Sequence, residues 1–283
     1  MGVAARQGST PPNAERATER RVAAARERRY YARVLHALQR HPFGVEAFFQ
    51  RSLVLTYAVP RAVLAPLIGP GLELDAYDDD GFLAIALVET KHLRPRGLPA
   101  WLGRDFFLSG YRVFTRFVRP GKQTLRGLRI LRSDTDRASM VRLGNLFTHY
   151  DYRRASVELT GDARRLEVRI RTPHREADLH VVADLASRPA ALPEGTPFRT
   201  MEDARSFAGP LPYTFSYDTR TGKMVVIKGL RQAWDPQPVR VEVKEATYLD
   251  HAPFVGAGVR LANAFYVHDV PYAWKPGTLE EIA

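Results

Sequence analysis

Hydrophobic residues recur at every second position from Leu53 to Val59 in the first third of the chain. A period of two in a run rich in β-branched and aromatic residues is typical of a β-strand, and apolar residues at some intervening positions indicate burial on both faces. Pro60 ends this pattern and suits the first turn of a helix. The sequence therefore predicts a buried strand that leads directly into a helix.

The pattern changes to a helical period after the proline, with apolar residues at Val63, Leu64, Leu67 and Ile68. Gly69-Pro70-Gly71 ends this short helix, because glycine accepts a left-handed backbone and proline cannot continue a helix. Apolar residues return over 72–76 and 82–88, and the Asp-Asp-Asp-Gly run between them has the composition of a hairpin turn. The stretch thus predicts a strand, a short helix and a hairpin.

Period-two patterns separated by short turns continue through the rest of the chain. They predict strands over 106–118, 125–131, 150–159, 166–171, 179–185, 213–217, 224–229, 239–248 and 265–274. Helices are predicted over 135–147, capped by Asp134, over 251–262, and after Thr200, which forms a capping box with Asp203. Because short turns favour antiparallel neighbours, we expect an α+β fold that is mainly antiparallel β with few short helices.

The N-terminal region differs from the rest in composition. Residues 1–13 are small and polar, which predicts a disordered tail, and residues 14–42 predict a basic N-terminal helix with an apolar stripe in its C-terminal half. We expect residues 43–283 to form a single β domain. One hypothesis for the helix is contact with nucleic acid or a membrane. The favoured alternative is a solvated helix that docks on the domain, because glutamates interrupt its positive charge, and nucleic acid is therefore the weaker expectation.

Composition limits the remaining classes. The formal net charge is +11, and only six of the 42 basic residues are lysines. Arginines such as Arg112 and Arg116 are expected to point outward from their strand. Cysteine is absent, which excludes disulfides and thiolate chemistry. No apolar run is long enough to span a bilayer and no signal peptide is evident, so we expect a cytoplasmic protein without a transmembrane segment.

Three motifs carry a resemblance to a known family. RSLVLTYAVPRAVLAPLIGPGLELD at 51–75 resembles the opening of the acetoacetate decarboxylase-like superfamily. RPRGLP at 94–99 and GNLFTHYDYRRA at 144–155 make the chain more similar to an uncharacterised branch of it, domain of unknown function family 2071. The resemblance spans roughly Phe48 to Trp274. It implies a curved, cone-like double sheet that encloses a pocket.

The resemblance also implies an anion-binding arginine. In acetoacetate decarboxylase an arginine at the start of the first strand helps to hold a carboxylate, and Arg51 matches that position. A guanidinium suits this role because its planar fork binds a carboxylate through two hydrogen bonds and keeps its charge when buried. The alternative is a structural ion pair between Arg51 and Glu89. Both interpretations remain open from the sequence.

The lysine that forms a Schiff base in these decarboxylases has no counterpart here. Asn145 stands near the position of the family's glutamate, and Tyr150 and Asp151 stand where its lysines should be. No lysine occurs between Lys122 and Lys223. A Schiff-base mechanism, in which a buried amine attacks a carbonyl, is therefore not expected.

The remaining candidates cluster at the junction between the helix over 135–147 and the next strand. Tyr150 and Tyr152 would share one strand face, and His149 and Asp151 the other. A tyrosine could donate to a substrate carbonyl, and His149 or Asp151 could act as general acid or base. Surface pairs and packed tyrosines are the alternative. We expect catalytic roles for Arg51, His149, Tyr150 and Asp151 and ligand contacts from Arg51, Glu89, Asn145 and Tyr152.

The functional hypotheses follow from these residues. The first is a metal-free lyase or hydratase that acts on a small keto acid or carbonyl compound. The second is a non-catalytic protein that binds an apolar or anionic metabolite, and the third is contact through the N-terminal helix. Histidine spacing typical of a metal site is absent, so we expect no metal and no other cofactor. Because exposed strand edges are often covered by a partner subunit, a homo-oligomer is a further expectation.

Overall fold

A computed structural model describes residues 35–187, 189, 191–209, 211–232 and 234–282. The predicted tail over 1–13 and most of the predicted basic helix over 14–42 lie outside these residues. Within the described part of that helix, residues 35–38 are helical. The division of the chain into tail, helix and domain stays a prediction.

Strands account for most of the described chain. They are β1 (Val45–Pro60), β2 (Leu72–Leu74), β3 (Asp80–Pro95), β4 (Arg104–Phe117), β5 (Leu125–Thr135), β6 (Tyr152–Arg154), β7 (Ser156–Gly161), β8 (Arg165–Arg171), β9 (Leu179–Asp184), β10 (Tyr213–Asp218), β11 (Lys223–Arg231), β12 (Gln237–Pro238), β13 (Arg240–Ala246), β14 (Arg260–Trp274) and β15 (Thr278–Glu280). Three short α-helices lie between them within the described residues, namely α1 (Arg61–Leu64), α2 (Ala138–Phe147) and α3 (Met201–Ala208).

The larger sheet closes into a ring. Its strands follow the order β12-β14-β1-β3-β4-β5-β10-β11-β15, and β11 also pairs with β14. That closing contact joins Gly229 to Trp274 and Arg231 to Tyr272. Most neighbours are antiparallel, whereas β5 runs parallel to β6 and to β10. Closure leaves an interior that the inward-facing residues of seven strands surround.

A second sheet covers the outside of this ring. It has the order β13-β9-β8-β7 and is antiparallel throughout. Its apolar face packs on the outward residues of β1, β3 and β4, so that the main core of the protein lies between the two sheets. Residues from both layers are nearly inaccessible, among them Leu55, Ile85, Val113, Ile170 and Val181.

One end of the ring's interior is filled by aromatic side chains. Phe82 and Phe114 from the strands meet Phe198 and Phe207 from the segment around α3. The Phe82 and Phe198 rings stack with their centroids 5.2 Å apart. This aromatic plug closes one end of the ring and leaves the rest of the interior hollow. The predicted fold, a mainly antiparallel and curved double sheet around a pocket, is confirmed.

Local structure departs from the sequence predictions at several points. The predicted turn is present, because Tyr77 and Asp80 exchange two backbone hydrogen bonds around it, but β2 pairs with β4 and β3 pairs with β1 along its length. Asp134 does not cap α2, because it lies within β5 and binds the Arg132 side chain. Turns replace the helix predicted over 251–262. The capping box of Thr200 and Asp203 is confirmed.

Candidate functional site

The hollow part of the ring is a cavity of about 480 Å³. Phe106, Leu108, Arg112 and Phe114 of β4 face it. Small or β-branched residues face it from β1 and β3, namely Ser52, Val54, Ala84, Ala86 and Val88. Small side chains on neighbouring strands leave the interior unfilled. Leu102 and Arg104 are exposed and also line the cavity, so the cavity opens to the surface beside them. Its volume suits a small organic molecule.

Arg112 projects into this apolar space from the middle of β4. Its Nε atom is buried and has no hydrogen-bond partner, and no described carboxylate forms an ion pair with it. Burial lowers the pKa of Arg112, although nearby tyrosines partly offset the effect. A guanidinium still keeps its proton under such conditions. Arg112 is therefore a positive charge without a counter-ion among the described residues.

Gly110 makes room for the Arg112 guanidinium. A Cβ atom at Gly110 would lie 2.9 Å from the Arg112 Nε atom and 3.1 Å from Nη2. Gly229 does the same for Tyr272, because a Cβ there would lie 2.2 Å from the tyrosine hydroxyl oxygen. Glycine at these positions lets polar groups lie flat on the cavity wall.

Three tyrosines surround Arg112. Tyr150, Tyr152 and Tyr272 all line the cavity and all interact electrostatically with the Arg112 charge. Burial raises the pKa of Tyr152 to about 12, against an opposing effect of Arg112, and it raises the pKa of Tyr150 further. The Tyr150 and Thr214 hydroxyl oxygens are 2.6 Å apart. At neutral pH the Tyr150 and Tyr152 phenols are therefore uncharged and can donate hydrogen bonds.

Arg231 brings a second positive charge to the cavity. Its guanidinium carbon lies 4.5 Å from the centre of the Trp234 ring and 5.9 Å from that of Tyr272. Its Nη2 atom is buried without a hydrogen-bond partner. Burial lowers the pKa of Arg231, Tyr272 opposes this, and repulsion by Arg112 adds to it. The two arginines are thus close enough for their charges to interact.

The other titratable groups of the cavity are few. Among its described lining residues there is no Asp, Glu or Lys, although all six lysines of the chain lie in the described ranges. Arg94 is paired with Glu46 at 2.7 Å. His41 lines the wall near α2, its Nδ1 atom is buried without a partner, and burial lowers its pKa. His41 is therefore a neutral imidazole near pH 7.

Two of the residues expected to bind ligand lie away from this cavity. Arg51 and Glu89 face each other on β1 and β3, with the Arg51 Nε atom 3.4 Å from a Glu89 carboxylate oxygen. Neither side chain lines the cavity, whereas Ser52, the next residue along β1, does. The ion pair that the sequence allowed as an alternative for Arg51 is present.

The structure separates the residues predicted at the helix–strand junction. Tyr150 and Tyr152 line the cavity, but His149, Asp151 and Asn145 do not. Asp151 pairs with Arg153 at 2.9 Å on the surface. Asn145 makes two 2.8 Å hydrogen bonds with the Tyr152 backbone and so anchors α2 to β6. The rings of His149 and His36 are 5.6 Å apart in an edge-on contact.

The expectations from the sequence did not include Arg112 and Arg231, the two cavity arginines that have a buried nitrogen without a hydrogen-bond partner. The expectation that Arg112 points outward was wrong, because its strand face is the inner face of a closed ring. The sequence did contain a signal for Arg112. Arg112 lies on the same predicted strand face as Phe106, Leu108 and Phe114, so it interrupts an otherwise apolar face. Arg116 shares that alternation but lies beyond the hollow and is exposed. Arg231 had no comparable signal.

Two kinds of feature are absent from the described ranges. No helix there is long and apolar enough to cross a membrane. In the same ranges, no group of three or more His, Cys, Asp or Glu residues could hold a metal ion.

Known structures with the same fold are acetoacetate decarboxylases and similar enzymes. Acetoacetate decarboxylase from Legionella pneumophila is 12% identical over 84% of this chain and 87% of its own, with a TM-score of 0.57. An acetoacetate decarboxylase-like enzyme from Sphingomonas wittichii RW1 is 13% identical over 84% and 92%, with a TM-score of 0.57. The enduracididine biosynthesis enzyme MppR, complexed with pyruvate, is 11% identical over 84% and 90%, with a TM-score of 0.51. The TM-scores show a shared fold.

Sequence comparison gives the family. No curated protein matches the chain significantly. The model of a family described as an uncharacterized conserved protein, DUF2071, matches residues 47–273. Because this match covers most of the chain, the protein belongs to the DUF2071 family, whose fold here is that of the acetoacetate decarboxylases.

Proposed function

We propose that the protein binds a small organic acid, such as a 2-keto acid, in the cavity of its closed sheet. The observation that carries this proposal is Arg112, a buried guanidinium with no counter-ion among the described residues and an unpartnered Nε atom. An uncompensated buried charge is costly, and a bound carboxylate would neutralise it through charge-assisted hydrogen bonds. Pyruvate bound to MppR, a chain of the same fold, supports keto acids as first candidates.

The neighbouring hydroxyls suit a carbonyl beside that carboxylate. Tyr150 and Tyr152 stay protonated at neutral pH because burial raises the pKa of each, so their O–H groups are available to a carbonyl oxygen. The Schiff-base route remains without support, since no lysine lines the described part of the cavity. We therefore assign the protein to metal-free lyase or hydratase chemistry on a keto acid or carbonyl compound.

A proton-transfer group for such chemistry is His41 rather than His149 or Asp151. The His41 imidazole lines the cavity and has a free, buried Nδ1 atom. Its pKa is lowered by burial, which leaves it neutral and able to accept a proton near pH 7. The position of His41 makes it the candidate general base of the proposed reaction.

A second candidate function is binding without turnover. It is favoured by the absence of Asp, Glu and Lys from the described cavity lining, which leaves His41 as the single group suited to general acid–base catalysis near neutral pH there. Incubating a bound keto acid with the protein and following its proton NMR spectrum separates the two. Conversion of the acid supports an enzyme, whereas an unchanged acid that is bound stoichiometrically supports a carrier.

The binding proposal is tested by calorimetric titration of 2-keto acids into wild type, Arg112→Met and Arg51→Met. Methionine keeps much of the side-chain length but removes the charge. We expect Arg112→Met to weaken binding about 100-fold, because the ligand carboxylate loses its buried partner. Arg51→Met is the matched control on the outside of the sheet and should bind as wild type does.

Two results would contradict the proposal. Loss of binding in Arg51→Met with retention in Arg112→Met would return the site to the position that the family resemblance implies. Failure of folded wild type to bind any keto acid or its methyl ester would exclude keto acids as the ligand class. Circular dichroism of each variant shows that a lost signal is not lost folding.

A further inference from the structure

We propose that the natural ligand carries two acidic groups, a dicarboxylate with a hydrocarbon spacer, and that Arg231 binds the second carboxylate. This inference rests on the proposed function, because it uses the same cavity. It goes further in naming the substrate class. A keto acid with a single carboxylate would leave one of the two arginines without a partner.

The charge balance of the cavity favours a ligand with two acidic groups. Arg112 and Arg231 each have one buried nitrogen without a hydrogen-bond partner, and the described lining contains no carboxylate. Of the other cavity arginines, Arg94 is paired with Glu46 and Arg104 is exposed to solvent. Guanidinium groups do not lose their protons in proteins, so Arg112 and Arg231 are two buried like charges that repel each other. One carboxylate would neutralise half of this charge, and two would neutralise all of it.

Arg231 is held in place independently of Arg112. Its guanidinium lies over the Trp234 ring at 4.5 Å and near that of Tyr272. Cation–π contacts of this kind fix the orientation of an arginine and leave its edge free for a planar acid group. Because Arg112 is placed over Gly110 on β4, the two guanidiniums belong to different walls of the ring.

Part of the cavity wall is apolar. Val54, Ala84, Ala86, Val88 and Ile130 present hydrocarbon to the cavity. A hydrocarbon spacer would bury apolar surface there, which is favourable at about 25 cal/mol per Å². A phosphate group concentrates its charge on one centre and would leave these residues against empty space. The apolar wall therefore favours two separated carboxylates over one doubly charged group.

The test is calorimetric titration with α,ω-dicarboxylates of about four to eight carbons and with monocarboxylates of the same lengths. We expect the best dicarboxylate to bind wild type at least about 30-fold more tightly than its monocarboxylate. Arg231→Met should bring both to the affinity of the monocarboxylate, and Arg231→Lys should restore part of the difference. Arg116→Met removes an exposed charge from β4 and should preserve the difference in affinity between the dicarboxylate and the monocarboxylate.

The outcomes separate this inference from the proposed function. Equal affinity for both acids in wild type, with binding lost in Arg112→Met, would overturn the dicarboxylate and leave the organic-acid site intact. Absence of binding by either acid would count against both. A phosphate monoester that binds more tightly than every dicarboxylate would also overturn the inference. A difference that persists in Arg231→Met would remove Arg231 from the site.

Discussion

The two faces of the ring wall offer a direct comparison within the same strands. Outward residues of β1, β3 and β4 meet the second sheet and are nearly inaccessible, as Leu53, Ile85 and Val113 are. Inward residues from the same strands line a hollow of about 480 Å³. The outer face is closely packed because the second sheet covers it. The inner face borders a cavity because it faces other strands of the same ring, and many of the side chains there are small.

The treatment of buried charge differs in the same way. Toward the second sheet, Arg132 binds Asp134 at 2.9 Å and Glu176 at 2.7 Å. Toward the cavity, Arg112 has no such partner among the described residues. Proteins seldom retain an unpaired buried charge unless it has a use, because it lowers stability. The outer face therefore pairs its buried charge within the protein, whereas the inner face leaves Arg112 for the ligand that we propose.

Replacing one arginine on each side gives the largest expected effect. Arg132→Met leaves Asp134 buried without its partner and should lower the free energy of unfolding by about 3–5 kcal/mol. Arg112→Met removes an uncompensated charge and should leave the free energy of unfolding unchanged or raise it by about 1 kcal/mol. Urea denaturation of the ligand-free proteins measures both.

The sign of the change in the free energy of unfolding in Arg112→Met shows whether Arg112 stabilises the ring. A loss of stability in Arg112→Met similar to that in Arg132→Met would mean that Arg112 is a structural residue of the ring. Arg116→Met, an exposed charge on the same strand as Arg112, sets the baseline for losing an arginine there.

A matched pair of leucines tests packing on the two faces. Leu87 is 2% exposed and packs on the second sheet, whereas Leu108 lines the cavity. Leu87→Ala should cost about 3 kcal/mol because it opens a void in a filled core. Leu108→Ala enlarges an existing hollow, so its cost should be smaller by at least about 1 kcal/mol. Equal losses in thermal denaturation would mean that the cavity collapses onto Leu108 in solution.

The smallest expected effect is the pH dependence, which again separates the faces. Burial alone would raise the pKa of Asp178 in the second-sheet region, but hydrogen bonds from the Thr172 amide and hydroxyl and from Arg171 hold it below its usual range. A lowered folded-state pKa stabilises the protein above the unfolded value of about 3.9 and ceases to do so as the pH falls through the folded value. Denaturation between about pH 2 and 5 should show this loss of stability, with a shallower slope in Asp178→Asn.

The affinity for organic acids should not depend on pH over a higher pH range. Tyr150 and Tyr152 have raised pKa values and stay neutral, and arginines stay charged, so organic-acid affinity should be flat from about pH 7 to 9. A fall in affinity with a midpoint inside that range would show that another titratable group contacts the ligand.

Several features were predictable from the sequence because they depend on neighbouring residues. Alternation and turn composition predicted the mainly antiparallel sheet, and the spacing of Thr200 and Asp203 predicted their capping box. The alternation also assigned Tyr150 and Tyr152 to one face, and both line the cavity. Together with the family resemblance, the lack of lysine between residues 122 and 223 made a Schiff-base site unexpected.

Only the tertiary structure decided which strand faces look into the ring. Alternation tells which residues share a face, but Arg112 and Arg51 differ in role because of what lies opposite each face. The pairing of β11 with β14, between residues far apart in the chain, closes the ring and brings Arg231 to the cavity. Closure depends on twist and register summed over seven strands, which no local pattern encodes. The sequence therefore determined the strands and their chemistry, and the closed ring determined which of those residues line the cavity.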